Sequence, residues 1–332
     1  MRRKDDVVRG AAAGVAMAAT VPYLTLKVLW LAGCEVGVRD SGAMDKLWLL
    51  NLLTFGMDAI ALALALAFVR PWGWRAPAGL VAFPMWVATG LLGTILVALP
   101  VSMVAGLVLG PEHRTPEQPA DEGLAGWVFT LVYGGFSVQG VALITAFVLY
   151  ARRRWAGLLR DRIGDLPDSP TRNVQRAFVG VAALVALGVA VARVYWAAGG
   201  TTGLPLRWVE QRTRAVATMD AVTAVMAVAA AGALLVLVFR VGPGRRLRVP
   251  LVAAWTAAGS LFAWGAWQLV AFGSSTTVPD LPSAVPGLMV LVEAGQVVAG
   301  VLILAVGAMA LTERAAAAAA AAQALPAVES RG

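Results

Sequence analysis

The chain has 332 residues, 59% of them hydrophobic and only 14% charged, with a formal net charge of +8 and a mean hydropathy of +0.76. A soluble domain of this length needs far more charge on its surface. The positive balance does not point to nucleic acid either, because the arginines sit in short clusters at the ends of apolar stretches, where they set membrane topology.

The N-terminal tail carries Arg2, Arg3, Lys4 and Arg9 ahead of an Ala-rich run, a pattern shared with signal peptides. The run continues through Trp30, however, and its Lys27–Trp30 segment has a counterpart later in the chain, so it is read as the first span. Eight apolar stretches longer than the roughly 18-residue threshold for a bilayer span follow in order: 11–33, 47–69, 79–101, 124–150, 175–197, 214–239, 250–272 and 286–311. The third continues to Gly110 past Pro100, as one kinked helix or as a span followed by a surface helix.

Nineteen of the 27 Lys and Arg residues lie in the N-tail, the second, fourth and sixth connections and the C-tail, against six in the alternate connections. That bias predicts both termini in the cytoplasm of a plasma-membrane protein. The expected architecture is all-α: a polytopic transmembrane helix bundle of about eight spans in two parallel four-span repeats. Residues 1–150 form the first repeat with its cytoplasmic tail, 151–174 a basic cytoplasmic linker, 175–312 the second repeat and 313–332 an Ala-rich tail that frays after Pro326.

The duplication rests on rare residues. Lys27-Val-Leu-Trp30 with Gly33 and Gly37 recurs as Arg193-Val-Tyr-Trp196 with Gly199 and Gly203. Met57-Asp58 recurs as Met219-Asp220 in the next span. Trp86 and Gly90 match Trp255 and Gly259 in the third span of each half. In the fourth, Leu131-Val132, Gly135 and Gly140-Val141 match Leu291-Val292, Gly295 and Gly300-Val301. Four spans per half is an even number, which predicts a pseudo-twofold axis along the membrane normal.

A charge in mid-span costs about 2.5–3.5 kcal/mol, so Lys27, Asp58, Arg193, Asp220 and Glu293 form a candidate intramembrane polar site. Lys27 lies about 9 Å inside Gly33 at 1.5 Å per residue. Adjacent antiparallel helices bring Lys27 to Asp58 and Arg193 to Asp220, as a structural lock or as part of a substrate or proton path. Glu293 has no basic residue in its own span, and its repeat counterpart is Tyr133. It is therefore expected to be neutral or to face water, with Gln296 one turn away.

Cys34 and His113 are the only residues of their kinds. They exclude an intrachain disulfide and the usual zinc and haem sites, and no cofactor is expected. No Walker loop, GxSxG, HExxH or carboxylate pair at catalytic spacing is present, so an intramembrane enzyme is the least favoured reading.

The stretch Pro22-Tyr-Leu-Thr-Leu-Lys27-Val-Leu-Trp30-Leu-Ala-Gly33, with Met57-Asp58 after it, resembles uncharacterised multi-pass membrane proteins of high-GC actinobacteria. The resemblance implies a bilayer environment and brings no activity. Two functions stay open: a non-catalytic membrane partner, such as a sensor subunit or assembly factor, docking a protein or anionic lipid through its basic cytoplasmic loops, or a transporter of a small polar or ionic solute with a site between the repeats.

Overall fold

The computed structural model describes residues 2–39, 41–110, 124–166, 168, 171–210, 212–276 and 287–324. The polar loop 111–123 with His113, and the tail around Pro326, lie outside the described residues. The elements are α1 (Arg2–Leu31), α2 (Ser41–Val69), α3 (Pro71–Arg75), α4 (Ala78–Leu109), α5 (Gly126–Arg154), α6 (Ala156–Arg160), α7 (Arg172–Ala197), α8 (Leu206–Glu210), α9 (Arg214–Val238), α10 (Arg248–Thr276) and α11 (Gly287–Ala324). A 3-10 turn at Ile163–Asp165 lies between α6 and α7.

Among the described residues, eight helices are long and apolar enough to cross a membrane: α1, α2, α4, α5, α7, α9, α10 and α11. The chain is a multi-pass helical membrane protein. Helices suit a bilayer because every internal backbone group bonds within its own segment. The third apolar stretch is one continuous helix, α4, that runs through Pro84 and Pro100. The last helix, α11, has 38 residues and is about 57 Å long. That exceeds a hydrocarbon core of about 30 Å, so its Ala-rich end projects beyond the apolar layer.

The ends of α1 and α7 are built alike. Gly33 and Gly199 take positive φ (83° and 97°), which L-residues resist. Gly33 N bonds Trp30 O at 3.0 Å and Cys34 N bonds Leu29 O at 2.8 Å; Gly199 N bonds Trp196 O and Gly200 N bonds Tyr195 O, both at 2.9 Å. Each is a Schellman cap that satisfies the last carbonyls of its helix. Beyond each cap the chain folds back. Trp30 Nε1 donates to Val36 O at 2.8 Å, and Trp196 Nε1 donates to Thr202 O at 3.0 Å.

Taken in chain order, α1, α2, α4 and α5 make a first group of spanning helices and α7, α9, α10 and α11 a second, although α4 packs more extensively on α10 and α9 than on α5 and α2. In the first, α1 lies against α2 and α5, and α4 against α5 and α2; in the second, α7 lies against α9 and α11, and α10 against α11 and α9. One core joins Ala13, Phe68, Met85, Leu143 and Tyr150 in the first group. Another joins Ala186, Ala230, Leu261 and Ala299 in the second.

The groups meet mainly where α4 crosses α10. A Cβ on Gly90 would lie 2.2 Å from the Gly259 carbonyl carbon, and one on Gly259 would lie 2.6 Å from Trp86 O. Only glycine permits so close a backbone approach. Thr94 and Ser260 share a hydrogen bond of 2.7 Å beside this crossing. Each helix also sends a tryptophan across. Trp86 packs in the second core and stacks on Phe262, while Trp255 packs on the first core and stacks on Phe147.

Within the connection 151–174, residues 161–164 are held by backbone bonds to a neighbouring turn. Ile163 N bonds Arg245 O at 3.0 Å, Gly164 N bonds Pro243 O at 2.9 Å and Leu247 N bonds Asp161 O at 2.9 Å. These bonds staple it to the turn between α9 and α10.

Candidate functional site

The candidate polar residues form two separate clusters, one inside each group of helices. In the first, Lys27 on α1 places Nζ 2.6 Å from Asp58 Oδ2 on α2. The lysine side chain is completely buried. Tyr23 lies one turn earlier on the same face of α1, and its ring centroid is 3.9 Å from Nζ. Phe136 of α5 backs that ring edge-on, with centroids 5.3 Å apart. The ammonium is thus held by a carboxylate on one side and a π face on another.

The second cluster is larger. Arg193 on α7 sends Nη1 to Asp220 Oδ1 of α9 at 2.8 Å and Nη2 to Glu293 Oε1 of α11 at 2.5 Å. Arg212, in the connection before α9, donates Nη2 to Asp220 Oδ2 and to Trp196 O, both at 2.6 Å. Gln296 Nε2 donates to Glu293 Oε2. A planar guanidinium forks to two acids where a lysine serves one. Gly265 lets α10 close over this point, since a Cβ there would meet Glu293 O at 2.7 Å. Glu293 and Gln296 have no exposed surface. Each cluster carries equal numbers of formal positive and negative charges.

Glu293 has a basic partner after all, but from α7 and not from its own span, and its side chain is fully buried, so it does not face water. Tyr133 lies beside the first cluster, near enough to Tyr23 for the two phenols to interact. It is 49% exposed on α5 and accepts Ser137 Oγ through its backbone carbonyl at 2.7 Å. Arg212 and Tyr23 were missed by sequence reasoning. By sequence Arg212 is one of the six basic residues in the alternate connections, and its place eight residues before Asp220 brings it back over the start of α9. Tyr23 had a signal in its i, i+4 spacing to Lys27.

Inside the second cluster, Arg193 Nε and Gln296 Oε1 have no protein hydrogen-bond partner. Among the described residues, no group of three His, Cys, Asp or Glu is placed to hold a metal ion. Compared with known family models, curated proteins and solved structures, the chain matches none.

Chemically, both clusters are ion-paired networks that link neighbouring helices. Asp58, Asp220 and Glu293 each accept a charge-assisted bond from a basic side chain. Breaking one pair strands a charge among apolar helices.

Proposed function

We propose that this protein is a non-catalytic membrane partner, a sensor subunit or assembly factor of the plasma membrane, with both termini in the cytoplasm. The observation that carries this reading is that Lys27, Asp58, Arg193, Asp220 and Glu293 are each engaged by another charged residue within their own helix group. A carrier needs ligand groups that open to solvent in at least one state. Here the intramembrane charges are spent on joining helix to helix.

We further infer that the two groups arose by duplication as parallel four-helix repeats. In support, both Schellman caps, both tryptophan bonds to a carbonyl six residues on and both glycine-to-helix contacts recur. A Cβ on Gly37 would meet Val128 at 2.6 Å, and one on Gly203 would meet Leu288 at 2.5 Å. The resemblance to actinobacterial multi-pass membrane proteins belongs to the same proposal.

A second reading, transport of a small polar or ionic solute, has one observation in its favour: the unpartnered Arg193 Nε and Gln296 Oε1. Such a site would lie inside the second group, not between the groups. Purification from native membranes under mild detergent tests the first reading. A stoichiometric protein partner supports it. Isolation of the chain alone, with solute flux in proteoliposomes that Gln296→Leu abolishes, would replace it with the second.

A further inference from the structure

At the end of the bundle that holds the N-terminus, two distant connections are joined into one arginine-bearing surface. Arg162 and Arg246 face each other across an isolated antiparallel bridge. Residues opposed in this way project to the same side, and like charges so placed repel. The backbone bonds from Ile163, Gly164 and Leu247 hold them there nonetheless. Arg160, Arg245 and Arg248 flank the pair, and all five are exposed.

The acids nearby are already engaged. Asp161 binds Arg314, with Nε at 2.6 Å. Asp165 accepts the Arg162 backbone N–H at 2.7 Å. Asp168 pairs with Arg172 at 2.7 Å and Arg240 at 3.3 Å. None of the five arginines forms an ion pair with a carboxylate among the described residues. Immediately beyond Arg248, α10 presents Val249 (68% exposed) and Val252 (57% exposed), which share a face at i, i+3 spacing. A group of exposed guanidiniums on a hydrogen-bonded backbone thus sits at the edge of an apolar helix, with Arg162 Nη1 also donating to Gly244 O at 3.1 Å.

We propose that Arg160, Arg162, Arg245, Arg246 and Arg248 form a binding surface for the phosphate headgroup of an anionic phospholipid, whose acyl chains lie along Val249 and Val252. Guanidinium forks match phosphate oxygens in pairs, and five of them favour a headgroup with two phosphates over one. The proposal rests on the membrane reading of the fold and deepens the lipid-docking part of the partner reading; it does not depend on the transport reading. Its failure would leave a protein-docking partner intact, and failure to find a protein partner would leave the lipid surface intact.

The test uses the full chain purified in a neutral detergent. Thermal unfolding is followed as diphosphatidylglycerol, phosphatidylglycerol or phosphatidylcholine is added in mixed micelles, and retained lipid is measured by native mass spectrometry. Diphosphatidylglycerol should raise the unfolding midpoint at a concentration about tenfold lower than phosphatidylglycerol, and phosphatidylcholine should not raise it. The variant Arg162→Gln/Arg246→Gln/Arg248→Gln should lose about tenfold in that response. Arg75→Gln/Arg152→Gln, which removes the same kind of charge elsewhere at this end, should not. The Arg→Lys version of the triple variant keeps the charge and guards against a folding defect; it should weaken the response less than the Gln version.

An unchanged response in a folded Gln variant would overturn the proposal. So would equal stabilisation by inorganic phosphate, which would make the surface a free-phosphate site. Loss of a co-purifying protein from the Gln variant with its lipid response intact would overturn it in favour of a protein dock.

Discussion

At the residue scale, the two buried cations solve one problem differently. Lys27 meets one acid and an aromatic face, whereas Arg193 forks to two acids. Removing one partner of a buried pair costs about 3–5 kcal/mol, while replacing both by apolar residues of similar size is often neutral. Asp58→Leu should therefore lower the unfolding midpoint in detergent sharply, and Lys27→Met/Asp58→Leu should recover most of the loss. A double variant no more stable than the single one would show that Lys27 and Asp58 do not act as a pair. For Arg193, a lysine cannot span Asp220 and Glu293 together. Arg193→Lys should destabilise, and Arg193→Lys/Glu293→Tyr, which imports the residues found at the first group's positions, should be milder. Tyr133→Phe, by contrast, should change stability little, since Tyr133 is half exposed and forms no part of either ion pair.

At the element scale, the decisive contact is the crossing of α4 and α10. Gly90 and Gly259 bring two backbones together, and dispersion over such a contact takes the place of the hydrophobic drive that a bilayer does not supply between helices. Gly90→Ala puts a methyl group where the Gly259 backbone already lies, so α4 and α10 must separate. Gly93→Ala, one turn on, meets nothing nearer than Thr256 Cγ2 at 4.0 Å. The first substitution should cost several degrees of unfolding midpoint and the second almost none. Equal effects would mean that α4–α10 contact is not what joins the groups. The α1 cap is a second sensitive point: Gly33→Val forces a β-branched residue into a positive-φ position, a strain of about 1–3 kcal/mol. Gly14→Ala in the same helix, with open space around its Cβ, is the control.

At the scale of the whole molecule, the proposed orientation places loop 111–123 outside the cell and 151–174 inside. With Cys34 replaced by serine, a single cysteine at 117 should react with a membrane-impermeant thiol reagent in intact cells, and one at 157 should not; the reverse pattern would invert the topology. Much of this molecule was legible from the residues alone. Span number and helical class follow from composition, because a bilayer requires runs of apolar residues about 20 long whatever they later touch. The pairs Lys27–Asp58 and Arg193–Asp220 were legible too, since neighbouring antiparallel spans leave a buried charge few other places to go. Three features were decided only by tertiary packing: Glu293's partner on a helix 100 residues away in sequence, the closure of Arg212 onto Asp220, and the stapling of 161–164 to the α9–α10 turn. The physical reason is common to all three. Hydropathy and charge act on each segment separately and fix which segments enter the membrane. Which helix faces which, and at what rotation, depends on close backbone contacts such as Gly90 with Gly259 and Gly265 with Glu293, and these exist only once the helices have packed.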